Sequence, residues 1–309
     1  LFASPTIWTM EEDLTAYSRT LLAISSSATP ATMGRFDAHG RCTWSYAEAG
    51  LKTGEGLLAA LGQHFKGRPE GLDLIVLDRG PGQFTGLRSG IGLARGLSMG
   101  WGVPILAIDS ASVMAWSAWE HLTASASSES SQMVSPASSR DGTRTQFISI
   151  RDARLGAYYV AVFESLESLA SSDCDSVRAL SLAQVLALLR QLSVGEQGDA
   201  LVLIASDAAS HDRLAMFRDG LANCGLAACA VGTDQGGRQR LASRSFHWIV
   251  PEPLSLLGAL ARLGLMRTEN GVAPLCADAI QAHYVRDEVA MDLSAQRAYR
   301  RSRSLATGT

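Results

Sequence analysis

The apolar positions of this chain alternate between runs of strand length and stripes of helical period. Leu21–Ile24 is a short apolar run that ends in Ser25, Ser26 and Ser27, then Thr29 and Pro30, as a buried strand ends in a small-polar turn. Strands are predicted next at Ala31–Asp37 and Arg41–Tyr46 with a turn near His39–Gly40, a meander opening a mixed sheet. From Lys52 to Phe65, Leu57, Leu58, Leu61 and Phe65 recur at helical spacing until Gly67, Arg68 and Pro69 end the run. Leu72–Leu77 is again a strand-length run. Phe84, Leu87, Ile91, Ala94 and Leu97 mark a helix over Phe84–Trp101, and Val103–Ile108 is a further strand, so this stretch is a βαβ unit.

In the second half, Asp109 or Ser110 can cap a helix running to about Leu122. Residues Thr123–Gln146 are serine-rich with almost no large apolar groups and are expected to form a flexible insertion. Phe147–Ile150 and Ala157–Phe163 flank Asp152-Ala153-Arg154-Leu155-Gly156, a hairpin whose turn Gly156 supplies. Asp152, Arg154 and Tyr158 are its candidate functional residues, although short polar residues of this kind also serve the turn itself. A helix is predicted from Ser181, a strand at Leu201–Ile204, an amphipathic segment at His211–Asn223, a polar loop over Gly232–Arg244, and a last helix over Leu254–Met266 opened by Pro253. The tail carries Arg297, Arg300, Arg301 and Arg303 and reads as a solvated terminus. The pattern divides into an extension over 1–20, a domain over 21–110 and a second over 111–309.

The βαβ unit contains the densest local chemistry. Gly80-Pro81-Gly82-Gln83-Phe84-Thr85-Gly86 has the glycine spacing of an anion-binding loop, but Leu87 and Arg88 stand where a Walker loop needs Lys and Ser/Thr. Thr85 also occupies the third glycine position of a dinucleotide loop. The helix that follows carries Gly86, Gly90, Gly92, Gly96 and Gly100, and each interior glycine costs about 1 kcal/mol relative to alanine. Rows of glycine four apart form grooves for close approach of another backbone. One row can lie on the chain's own sheet, which leaves the other for a partner.

Composition narrows the class. The 309 residues are 47% hydrophobic and 18% charged, enough for two domains, and a net charge of −3 provides no general attraction for a phosphate backbone. Five scattered cysteines, Cys42, Cys174, Cys224, Cys229 and Cys276, form no Cys-x-x-Cys pair and are expected in a reducing cytoplasm. No window is long and apolar enough for a membrane span. The first twenty residues lack the parts of a signal peptide, and Met10 is a candidate start.

GPGQFTGLRSGIGLARGLSMGWGVPILAIDS is similar to the signature of the TsaB (YeaZ) family, in which Gly80, Pro81, Gly82, Phe84, Thr85, Gly86 and Arg88 are motif positions. LLAISSS, RDARLGAYYVAVF and HYVRDEVA resemble three further family segments in the same order. The resemblance implies an actin-like (ASKHA, ribonuclease H-like) α/β fold of two related domains, with mixed sheets flanked by helices. It also implies a noncatalytic role in forming N6-threonylcarbamoyladenosine at position 37 of tRNAs reading ANN codons. The catalyst of that reaction is the related subunit TsaD, the ATPase TsaE joins them, and tRNA is met only through the complex. Docking would use the two N-terminal helices, through Leu57, Leu61, Phe65, Gly86, Leu87, Gly90, Ile91 and Ala94. The same face would allow a homodimer. No metal or cofactor is expected on this chain alone, and a nucleotide at the TsaD junction is left open.

Two enzyme readings compete. An actin-like ATPase or sugar kinase would need carboxylates beside a phosphate loop; Ser25 stands where the family's first aspartate usually is, and Asp78 and Asp109 suit loop or cap roles. A glycoprotease-type metallopeptidase would need clustered ligands, but His39, His64, His121, His211, His247 and His283 lie far apart in sequence.

Overall fold

The computed structural model describes residues 20–48, 55–67, 69–127, 146–154, 156–171, 177–194, 202–206 and 246–285. The N-terminal extension, the segment His211–Asn223, the loop Gly232–Arg244 and the basic tail lie outside the described residues.

Two five-stranded sheets form the frame. The first contains β1 (Thr20–Ser25), β2 (Thr32–Phe36), β3 (Cys42–Ala47), β4 (Leu72–Asp78) and β5 (Ile105–Ile108) in the order β3-β2-β1-β4-β5. β1, β2 and β3 pair antiparallel, while β4 and β5 join in parallel. The second contains β6 (Gln146–Asp152), β7 (Ala157–Phe163), β8 (Arg178–Ser181), β9 (Val202–Ser206) and β10 (Phe246–Ile249) in the order β10-β9-β6-β7-β8. With β6 placed on β1, every pairing of the first sheet recurs in the second, including the parallel third and fourth joins. This duplicated plan is the actin-like fold. β8 and β10 were not among the predicted strands, since four residues, exposed in β8's case, carry little period-two signal.

The helices are α1 (Glu55–His64), α2 (Phe84–Trp101), α3 (Ser110–Ser127), α4 (Leu166–Ser171), α5 (Leu182–Val194) and α6 (Pro253–Glu269). Strand alternation decides where they pack. Leu22 and Ile24 of β1 join Leu57, Leu61 and Phe65 of α1 and Ile91, Ala94 and Leu97 of α2 on one face of the first sheet. Leu21 and Ala23 face the other way and meet Leu257, Leu260 and Leu263 of α6. That same core includes Val113, Met114 and Trp116 of α3 and reaches Phe147 and Phe163 of the second sheet. Val185 and Leu189 of α5 cover the far face, against Ile148, Ile150, Tyr158 and Val160.

One sequence expectation changes. α3 continues to Ser127, so its last turn takes in the beginning of the segment expected to be a flexible insertion. α6, late in the chain, lies on the first sheet, where a Cβ on Gly264 would press into Val76, and Leu275 exchanges backbone hydrogen bonds with Ile105. α3 and α6 are tied by Arg262, whose Nη2 donates to Glu120 Oε2 at 2.6 Å and whose Nε donates to Oε1. This bond to Glu120 raises the Arg262 pKa above its ordinary value.

Candidate functional site

The loop between β4 and α2 is built around the Asp78 carboxylate, which is buried at the end of β4. Its Oδ2 accepts from Ser25 Oγ at 2.8 Å and from Ser27 Oγ; its Oδ1 accepts from the Gly80 N–H at 3.0 Å and from Ser110 Oγ. Four donors from three segments converge on one carboxylate, so Asp78 is committed to holding the loop. Asp109 caps α3 instead, with Oδ1 accepting the Ser112 N–H at 2.8 Å.

The glycines are explained by what lies over them. A Cβ on Gly82 would run into the Ser27 carbonyl, one on Gly86 into the Ser26 carbonyl, and one on Gly90 into Ser26 Oγ. Gly80 has φ +96°, a left-handed conformation that disfavours a side chain. The space these glycines open is therefore occupied by the β1–β2 turn, and the anion-loop reading of the motif has no use for them on that side. The Gln83 N–H at the start of α2 also goes to the Ser27 carbonyl, at 2.8 Å.

The structure places the docking residues read from the sequence on the inward faces of their helices. Leu57, Leu61, Phe65, Leu87, Ile91 and Ala94 are buried in the chain's own core, and Gly86 and Gly90 are sealed against the Ser26–Ser27 turn. The apolar stripe of each helix was already claimed by the sheet. The opposite face of α2 presents Thr85, Arg88, Gly92, Gly96, Met99 and Gly100, all exposed. A Cβ on Gly92, Gly96 or Gly100 would meet nothing within 4 Å. On α1, Leu58 and Gly62 are likewise exposed. Met99 at 73% and Leu58 at 56% are two of five large apolar side chains exposed among the described residues.

The rest of the motif meets the C-terminal segment. The Arg88 guanidinium stacks over Phe84 at 3.8 Å, and its Nε donates to Tyr284 Oη at 3.4 Å; Phe84 and Tyr284 rings are 5.6 Å apart. The His283 N–H donates to the Arg79 carbonyl at 2.9 Å.

In the β6–β7 hairpin, Asp152 Oδ1 accepts the Arg154 N–H at 2.7 Å and Ala157 N–H reaches the Arg154 carbonyl at 3.1 Å, with Arg154 at φ +60°. Tyr158 is buried in the core under α5. Asp152 and Arg154 thus shape the turn, as local pairing would have it. The residue missed is Arg151, buried one position earlier: its Nη1 donates to Ser27 Oγ at 2.7 Å and to the Pro81 carbonyl at 3.0 Å. The available signal was a charge at the end of the apolar run Phe147–Ile150.

Among the described residues, no group of three His, Cys, Asp or Glu could hold a metal ion and no helix is long and apolar enough to cross a membrane.

A family model described as TsaD, tRNA N6-adenosine threonylcarbamoyltransferase, matches residues 55–191. The tRNA threonylcarbamoyladenosine biosynthesis protein TsaB of Escherichia coli (strain K12) is 30% identical over 97 residues, 31% of this chain and 33% of that protein. TsaB of Buchnera aphidicola subsp. Schizaphis graminum (strain Sg) is 42% identical over 48 residues, 16% of this chain and 23% of that protein. The matches thus span a third or less of these curated relatives. A solved structure of YeaZ from Pseudomonas aeruginosa superposes with a TM-score of 0.51 at 17% identity, over 86% of this chain and 99% of that one, and supports the fold. The resemblance to TsaB (YeaZ) is thus present both in local sequence and in overall architecture.

Proposed function

We propose that this chain, TsaB-like in motif and in fold, is a noncatalytic partner subunit of a TsaD-type transferase in the formation of N6-threonylcarbamoyladenosine at tRNA position 37. The observation that carries the docking role is the outward row of α2. Gly92, Gly96 and Gly100 each cost roughly 1 kcal/mol of helix propensity, and among the described residues a Cβ on any of them would meet nothing within 4 Å. Close approach of a second backbone offsets such a cost, and exposed Met99 on the same helix face adds apolar area for it to cover. The occupant is a TsaD subunit, with TsaE joining the pair and tRNA reached through the assembly in the cytoplasm. A second copy of the chain can use the same face when TsaD is absent.

A second reading is favoured by the family model, which bears the name of the transferase itself. One experiment separates the two: reconstitution with TsaD, TsaE, the adenylate-forming enzyme and tRNA, with this chain included or omitted, beside this chain in place of TsaD. The expected result is modified tRNA only when TsaD and this chain are both present. Modification by this chain without TsaD would establish the transferase reading instead.

A further inference from the structure

The four segments that carry the family resemblance are spread from Leu21 to the region of Ala290, yet they meet at the Gly80–Gly82 loop. The second sheet contributes a charged side chain to that meeting point. Arg151 on β6 is 4% exposed and crosses to the first domain, where its Nη1 reaches Ser27 Oγ and the Pro81 carbonyl. Ser27 Oγ accepts from Arg151 and donates to Asp78 Oδ2. A buried cation and a buried anion are therefore joined through one hydroxyl. Each charge would be costly to bury without compensation, and the bridge clasps the β1–β2 turn and the loop between them.

We propose that Arg151 is a positioning residue, a latch by which the second domain fixes the β1–β2 turn and, through it, the seat of α2. The mechanical link is the contact of Ser26 and Ser27 with Gly82, Gly86 and Gly90. The glycines bring no side chain to these contacts, so a displaced turn carries α2 and its outer face with it. The inference deepens the proposed docking role and rests on it only for its binding readout.

Hydrogen exchange of the full chain tests the latch without a partner. Arg151→Met is expected to raise exchange by about tenfold in peptides covering 25–31 and 79–90, which belong to the other domain, while β1 and β4 stay protected. Affinity for TsaD should fall by more than about tenfold although residue 151 is remote from the docking face, and Arg151→Lys should recover part of both effects. Ser27→Ala, which removes only the bridging hydroxyl, should act in the same direction and decides the matter if Arg151→Met does not fold. Exchange that rises only within 146–163, or is unchanged in both variants, would overturn the latch. If the wild-type chain fails to bind TsaD, the docking reading falls, while the exchange result still judges the latch.

Discussion

Gly86 and Gly90 of α2 lie against the Ser26–Ser27 turn, whereas Gly92, Gly96 and Gly100 face open space on the other side of the same helix. Two residues advance an α-helix by about 200°, so the step from Gly90 to Gly92 moves from one side to the other. Both rows weaken the helix by the same propensity. The inner row is compensated inside the chain, by close approach of the turn and by burial of Leu87, Ile91 and Ala94 beside it. The outer row has no such compensation within the described chain. Identical residues on one helix can thus answer an internal packing demand on one face and an external one on the other.

The largest expected effect comes from filling the inner row. Gly90→Leu should destabilise the fold by about 3 kcal/mol, because the side chain must displace Ser26 from a packed turn, and the urea midpoint would report it. An unchanged midpoint would mean that the turn yields freely and that the two rows are not distinct. On the outer face, Met99→Glu combined with Gly96→Glu should leave unfolding within about 0.5 kcal/mol of wild type. The same variant should weaken pairing with TsaD by at least about tenfold, measured by titration calorimetry. Intact pairing would remove the outer row from the interface. The smallest effect is the most discriminating. Gly92→Ala and Gly96→Ala should each stabilise the isolated chain by about 0.5–1 kcal/mol, while Gly86→Ala should destabilise it, since its Cβ meets the Ser26 carbonyl. Thermal unfolding of the three single variants would show opposite signs if the comparison holds.

Much of the fold was legible in local pattern. The short apolar runs of β1 and β4 pointed to strands, and the spacing of Leu57, Leu61 and Phe65 pointed to α1, because each reflects surface that must be buried. The edge strand β8 was not legible, since its exposed residues answer to pairing with β7 and not to burial. Which surface covers the apolar helix stripes was not legible for a related reason. An apolar stripe such as Leu87, Ile91 and Ala94 says that a face is covered without saying by what, and here the covering surface is the chain's own sheet. Arg151 was hidden because its partners, Ser27 and Pro81, lie 124 and 70 residues away.

The sequence by itself determined the alternation of strands and helices, the cost of five glycines in one helix and the motif around Gly80–Gly86, all of which depend on near neighbours. Only the tertiary structure decided which glycines are sealed by the Ser26–Ser27 turn, which face solvent, and that Asp78, Ser27 and Arg151 form one buried bridge between the two sheets. Those outcomes depend on which distant backbone occupies the space beside a residue, a quantity set by the closure of the sheets and absent from any local stretch of the chain.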